Sequence, residues 1–199
     1  IVERYNLKLS PQAITALQEE TPKELSNVTT MVTGSVTQLC LSAAETAKAL
    51  GYTPHILTAS LRCQAREAGS FLASIAEYHQ DSDASLAYIL GGETVVHLKG
   101  KGKGGRNQEI ALSAVPTLAA CRDTCIFSLG SDGTDGPTDA AGGYADDTTL
   151  QSMQAAGVDP LTMLDNNDAY HALKAVDGLI MTGPTGTNVN DLTVLLIKR

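Results

Sequence analysis

Short apolar runs rich in β-branched residues alternate along this chain with stretches whose apolar side chains recur every three to four residues, and that alternation confines it to an α/β fold. Ser10-Pro11 opens a short helix over 12–20, with Pro11 at its first position. Residues 28–33 read as a strand that breaks at Gly34-Ser35. Residues 39–50 follow with helical spacing and stop at Gly51, a plausible C-terminal cap. Residues 54–58 read as the next strand. Residues 62–79 read as an amphipathic helix with Ala65, Ala68, Leu72, Ile75 and Ala76 on one face.

The second half is denser in glycine. Residues 86–90 and 94–99 read as two strands joined through Gly91-Gly92 in a hairpin, so the sheet cannot be wholly parallel. A helix over 107–120 leads to a buried strand at 124–129 and a Gly- and Asp-rich loop at 130–143. Helices over 147–156, 161–164 and 170–176 precede closing strands at 179–182 and 192–197. The expectation is one α/β domain over 1–199, a three-layer α/β/α arrangement around a mixed β-sheet, with a leading β-α-β-α segment at 1–84. Its 199 residues suffice for a core without disulfides or a structural metal.

The net charge of −8 argues against nucleic acid or an anionic membrane as partner, since both need a cationic surface. No apolar run approaches the roughly 20 residues that span a bilayer. Cys121 and Cys125 have no common zinc or redox spacing, so the four cysteines read as thiols of a reducing, cytoplasmic compartment. His55, His79, His97 and His171 show no metal-ligand spacing.

Three loops remain as carriers of chemistry. The first, residues 100–109, follows a strand and opens a helix. Its glycines let backbone approach a ligand, and free N–H groups at a helix start attract anions. Lys101, Lys103 and Arg106 add charge, and Arg106 can hold a carboxylate or phosphate through two parallel hydrogen bonds. Gly100, Gly102 and Gly105 satisfy a dinucleotide-binding glycine pattern, but the preceding strand alternates and no acidic residue is cleanly placed about 20 positions on. A solvated basic loop is the bland alternative. The second loop, 130–139, leaves the carboxyl end of a buried strand, where α/β sheets place ligands. Asp132, Asp135 and Asp139 could bind Mg²⁺ or take a proton from a hydroxyl, or could simply cap their own turn. The third, 182–191, offers small residues and hydroxyls that could wrap a phosphate or a ribose. Gly34-Ser35 is either a further anion site or an N-cap.

Four stretches occur in order: Gly91-Gly92-Glu93-Thr94, then 102–109 (Gly-Lys-Gly-Gly-Arg-Asn-Gln-Glu), then 132–139 (Asp-Gly-Thr-Asp-Gly-Pro-Thr-Asp), then 182–191 (Thr-Gly-Pro-Thr-Gly-Thr-Asn-Val-Asn-Asp). Together they resemble the MOFRL module of type-2 glycerate kinases, a family that older usage also calls hydroxypyruvate reductases. The resemblance is strong over 85–199 and looser over 1–84. It implies transfer of the γ-phosphoryl of ATP to D-glycerate with Mg²⁺, in a cleft between two α/β domains. It also implies that the chain is the C-terminal part of a larger enzyme and is inactive without an N-terminal domain. A homodimer is a further expectation.

By motif position Arg106 matches a catalytic arginine and Asp132 an active-site aspartate. Asn107, Glu109, Asp135, Thr185, Thr187, Asn188 and Asp191 match motif positions. Lys103, Gly104, Gly105 and Thr134 complete the candidate binding set. Arg106 is expected to hold the substrate carboxylate or the transferred phosphoryl group. Asp132 is expected to orient or deprotonate the hydroxyl or to hold Mg²⁺, with Asp135 in support. Val36 stands where the family usually has Asn, which removes an amide from that helix start. Two other readings stay open: a ligand-binding module without chemistry, and a nicotinamide-dependent hydroxypyruvate reductase.

Overall fold

The computed structural model describes residues 1–31 and 33–199, which form two compact units, Ile1–Thr33 and Gly34–Arg199. The first carries α1 (Pro11–Gln18), started as expected by Ser10, whose Oγ accepts from the Ala13 N–H at 3.2 Å. The strand expected at 28–33 is not formed by residues 28–31 and 33, which are exposed; Val32 lies outside the described residues. A β-branched composition favours a half-buried pleated surface, and residues 28–31 and 33 pair with no described strand.

The second unit is built on a six-stranded sheet in the order β1-β2-β6-β3-β4-β5. The strands are β1 (Thr53–Leu61), β2 (Leu86–Gly92), β3 (Thr124–Gly130), β4 (Gly142–Asp146), β5 (Leu179–Ile180) and β6 (Asp191–Ile197). Among the six described strands only β1 and β2 pair in parallel; β6 runs antiparallel between β2 and β3. The sheet is therefore mixed, but not for the expected reason. No hairpin forms at 94–99, where a single bridge joins Val95 to Gln64. Both edges of β2 are already taken, by β1 and β6. β4 was not expected: it starts in the last two residues of the expected 130–143 loop and runs on to Asp146, and Gly-Gly-Tyr-Ala-Asp carries no β-branched residue to signal a strand.

Period-two burial divides the sheet between two cores. On one face Leu86, Tyr88 and Leu90 of β2, Ile126 of β3 and Leu195 and Ile197 of β6 meet α3 (Ala65–Tyr78) and α4 (Arg106–Leu118). On the other, Ile89, Leu192 and Val194 meet Cys40 of α2 (Val36–Ala49). Those layers give the expected α/β/α arrangement. The short α5 (Thr149–Ala155), α6 (Pro160–Asp165) and α7 (Ala169–Lys174) close the α4 side through Met153, Leu164 and Leu173. No helix among the described residues is long and apolar enough to cross a membrane.

α3 and α4 approach so closely that a methyl on Gly69 would lie 2.1 Å from the Ile110 carbonyl oxygen. Helix propensity alone favours Ala over Gly by about 1 kcal/mol. Overpacking of about 1–3 kcal/mol opposes it and wins here, because the obstacle is backbone. Gly69→Ala is therefore expected to lower the urea midpoint with an unchanged slope. A raised midpoint would mean that the helices are not in contact at this point.

Candidate active site

The carboxyl ends of β2 and β3 and the start of β6 coincide, since Gly92 and Gly130 both pair with Asp191. Loops 93–105, 131–141 and 181–190 leave or enter the sheet at that edge. The start of α2 lies there too: a methyl on Gly91 would meet Val36 Cγ2 at 2.5 Å. Ser35 Oγ accepts from the Gln38 N–H at 3.2 Å, so Ser35 acts as the N-cap of α2.

Asp135 fixes the geometry. Its carboxylate accepts from Asn107 N at 3.1 Å, Asn107 Nδ2 at 3.2 Å, Gln108 N at 2.9 Å and Gln108 Nε2 at 3.0 Å. It caps α4 from a distant loop, because the N-cap position is held by Gly105, which has no side chain. Gly105 must be glycine: a methyl there would lie 2.3 Å from the Asp135 carboxyl carbon. Burial pushes the Asp135 carboxyl up from its ordinary value, while the four donors pull it down. Only 2% exposed, Asp135 positions the helix and offers no oxygen to a ligand. Asn107 is likewise buried, with Oδ1 accepting from Ser128 Oγ, itself bonded to Thr193 Oγ1.

Arg106, the first residue of α4, emerges from this anchor. Its Nε donates to Asp191 Oδ2 at 2.5 Å and its Nη2 to Asp191 Oδ1 at 3.0 Å, a two-pronged pair with a carboxylate only 5% exposed. Nη1 lies 3.2 Å from Glu93 Oε1. The bond to Asp191 holds the guanidinium above its ordinary pKa. Asp191 thus serves Arg106, a role that residue type alone did not reveal.

Asp132 sits on the loop after β3. Its Oδ1 accepts from Thr134 N at 2.9 Å and Thr134 Oγ1 at 3.0 Å, while Oδ2 has only a long contact of 3.5 Å from Asn188 Nδ2. A methyl on Gly130 would lie 3.0 Å from Asp132 Oδ1 and 3.5 Å from Asp191 Oδ1, so both carboxylates turn over the same point at the end of β3. The third loop is stitched to this one. Thr185 N donates to Asp132 O at 3.2 Å, Thr185 Oγ1 to Ser131 O at 2.5 Å, and Val189 N to Ser131 Oγ at 2.8 Å. Thr187 bonds Thr185 Oγ1 through its N–H at 3.4 Å.

Other expected ligands are occupied elsewhere. Glu109 is buried, 3.3 Å from Arg66 Nε and 3.3 Å from Asn167 Nδ2, and ties α3 to α4 and the turn after α6. Lys103 Nζ stands over the Tyr170 ring, 4.4 Å from its centroid. Of the N–H groups expected to be free at the helix start, those of Asn107 and Gln108 are taken by Asp135, and those of the approaching chain at 99–103 are taken as well. Asn167 Oδ1 accepts from Lys99 N and Gly100 N, Asn166 from Lys101 N and Gly102 N, and Asp168 Oδ1 from Lys103 N. Sequence reasoning passed over Asn166, Asn167 and Asp168 as a helix break. Their only signal was a run of side chains that readily bond backbone.

Two clefts open beside Arg106. One of 630 Å³ runs between Val36, Ala59, Leu61 and Asn190; the other, of 540 Å³, is bounded by Gly102, Gly104, Gly105, Arg106 and Pro137. They share a wall of Glu93, Thr94 and Val95. Asp132, Thr185, Thr187 and Asn188 line neither cleft. Among the described residues no group of three His, Cys, Asp or Glu side chains forms a ready metal cage.

Comparison with known proteins adds independent findings. The MOFRL family profile matches residues 86–191. A D-glycerate 2-kinase of Thermotoga maritima is 50% identical over 201 residues, covering 99% of this chain and 48% of the relative. A glycerate 2-kinase of Pyrococcus horikoshii is 43% identical over 185 residues, covering 90% of this chain and 42% of the relative. A crystal structure of glycerate kinase from Thermotoga maritima aligns with a TM-score of 0.90 at 49% identity, over 99% of this chain and 49% of that one. The chain spans about half the length of the relatives it matches.

The cap is testable by itself. Asp135→Ala leaves the buried N–H groups of Asn107 and Gln108 without an acceptor, which costs about 1–3 kcal/mol. The unfolding free energy from urea titration is expected to fall by that amount. An unchanged value would mean that α4 is held at its start by something else.

Proposed function

This chain belongs to the MOFRL family, and we propose on that premise that the protein is an ATP-dependent D-glycerate kinase that phosphorylates the 2-hydroxyl. The observation that carries the reading is the meeting of Arg106 and Asp132 at one sheet edge, in a chain 50% identical to a protein named D-glycerate 2-kinase. Phosphoryl transfer asks a protein chiefly for positioning and charge neutralisation. An arginine fixed by a buried carboxylate and an aspartate with one nearly free oxygen supply the positioning, and Mg²⁺ on the nucleotide would supply most of the neutralisation. In this reading Oδ1 of the Asp132 carboxylate stays with Thr134, and the nearly free Oδ2 orients the glycerate hydroxyl and takes its proton as the oxygen bonds to the γ-phosphorus, while ADP leaves. Arg106 binds an anionic group of the reactants. Thr134, Thr185, Thr187 and Asn188 shape the loop that holds Asp132. Lys103, Gly104 and Gly105 border the reactants through the glycine-rich loop.

The donor set fits Mg²⁺ carried in on the nucleotide better than a resident ion. Mg²⁺ commonly takes one or two carboxylates together with phosphate and water oxygens. Asp132 Oδ2 serves the hydroxyl in this reading, so Asp132 would hold the ion only through an intervening water, and phosphate and water oxygens would be its direct ligands. The ion would neutralise charge on the phosphates.

Two assays on wild type and variants of the full-length protein test the proposal. With D-glycerate, ATP and Mg²⁺, Arg106→Ala and Asp132→Asn are each expected to lose about 10²–10³ in turnover, the cost of removing one electrostatic stabiliser. Asp132→Asn should retain glycerate affinity within a few-fold, because it removes charge and basicity but little size. Phosphorus NMR should place the new ester on the 2-oxygen. With hydroxypyruvate and a reduced nicotinamide, no turnover is expected. ATP-independent reduction of hydroxypyruvate, with no ADP formed from glycerate, would overturn the proposal.

A further inference from the structure

Arg106 has two unlike partners. Asp191 takes the Nε and Nη2 side of the guanidinium. It is 5% exposed and held at the first position of β6 by pairing with both Gly92 and Gly130, so it cannot withdraw without opening the sheet. Glu93 takes Nη1 from a loop, at 3.2 Å, with a side chain 56% exposed. An exposed carboxylate on a flexible stem is weakly held and readily exchanged.

The neighbouring residue provides an independent observation. Thr94 is 3% exposed, and its Oγ1 is buried with no hydrogen-bond partner. Buried hydroxyls are nearly always paired, so an orphan of this kind on a residue of the cleft wall calls for a partner, which a ligand seated in the cleft would supply once the wall gives way. Thr94, Glu93 and Arg106 all line the 540 Å³ cleft.

We propose that Arg106 Nη1 and Thr94 Oγ1 form a subsite for the carboxylate of the acid substrate, and that Glu93 is its internal occupant, displaced when the substrate binds. Charge selects the ligand. Asp191 already neutralises Arg106, so the subsite has little positive charge to spare. A monoanionic carboxylate can replace the Glu93 carboxylate like for like. A phosphate near its second ionisation would add charge beside Asp191 and Glu93, which is repulsive. The identity of the acid rests on the kinase reading above; the exchange at Arg106 does not.

Isothermal titration of the full-length protein with D-glycerate, glycerol or inorganic phosphate tests the proposal. Glu93→Gln is expected to tighten D-glycerate about three- to fivefold, the range for release from an exposed ion pair. Glycerol, which lacks the carboxylate, should show no such gain, and phosphate a smaller one. Thr94→Val should weaken D-glycerate about fivefold or more, and Thr94→Ser should restore it, as for loss and return of one hydrogen bond. An unchanged or weaker D-glycerate affinity in Glu93→Gln overturns the proposal. So does wild-type affinity in Thr94→Val, or a phosphate gain as large as that of glycerate. If the protein fails to phosphorylate glycerate yet Glu93→Gln tightens it, the kinase reading fails and the subsite stands.

Discussion

A carboxylate buried under the first turn of a helix determines where everything else at this sheet edge can be. Asp135 accepts four hydrogen bonds from two consecutive residues of α4, and so ties the glycine-rich loop to the aspartate-rich loop. The anchoring is possible only because Gly105 leaves room for it. It sets the axial position of α4, and with it the point from which Arg106 projects. Asn107 extends the same network through Ser128 to Thr193, linking the helix start to β3 and β6. A polar cluster this deep is stable because its members satisfy one another. Among the described residues only Gln108 Oε1 in this group lacks a partner.

From that anchor the site is organised by pairing rather than by open donors. Arg106 is clamped by Asp191, and loop 182–191 is laced to loop 131–135 through Ser131, Thr185 and Val189. The N–H groups at 99–103 are taken by Asn166, Asn167 and Asp168. Loops held this way need little ordering when a ligand arrives, which favours a reaction that depends on positioning. Among the groups left over are Asp132 Oδ2, the exchangeable contact to Glu93, and the hydroxyl of Thr94.

Elements with strong local signals were legible in the sequence. The helix starts at Ser10 and Ser35, the stop at Gly51 and the buried runs of β3 and β6 all follow from capping and periodicity. What failed depended on partners. Residues 28–31 have strand composition but pair with no described strand, and 94–99 lost its expected partner because β6 occupies that edge of β2. β4 formed despite its glycines because β3 offered an open edge. For the site, motif order singled out Arg106, Asp132, Asp135 and Asp191, and the structure sets these residues at one end of the sheet. Their division of labour was not legible, since an aspartate that caps a helix and one that faces solvent look alike in sequence. Glu93 and Thr94 stood inside a quoted motif, yet only burial and pairing gave them a role.

The central claim is that the three loops around Arg106 form one ligand site. Amide chemical-shift mapping of the isotopically labelled protein, titrated with D-glycerate and then with Mg²⁺-ATP, tests it most directly. The account predicts that glycerate shifts cluster at 93–94 and 104–108, and that nucleotide adds shifts at 131–135 and 185–191. Shifts confined to the apolar groove between α2 and β6, or spread evenly with none at Arg106, would contradict it.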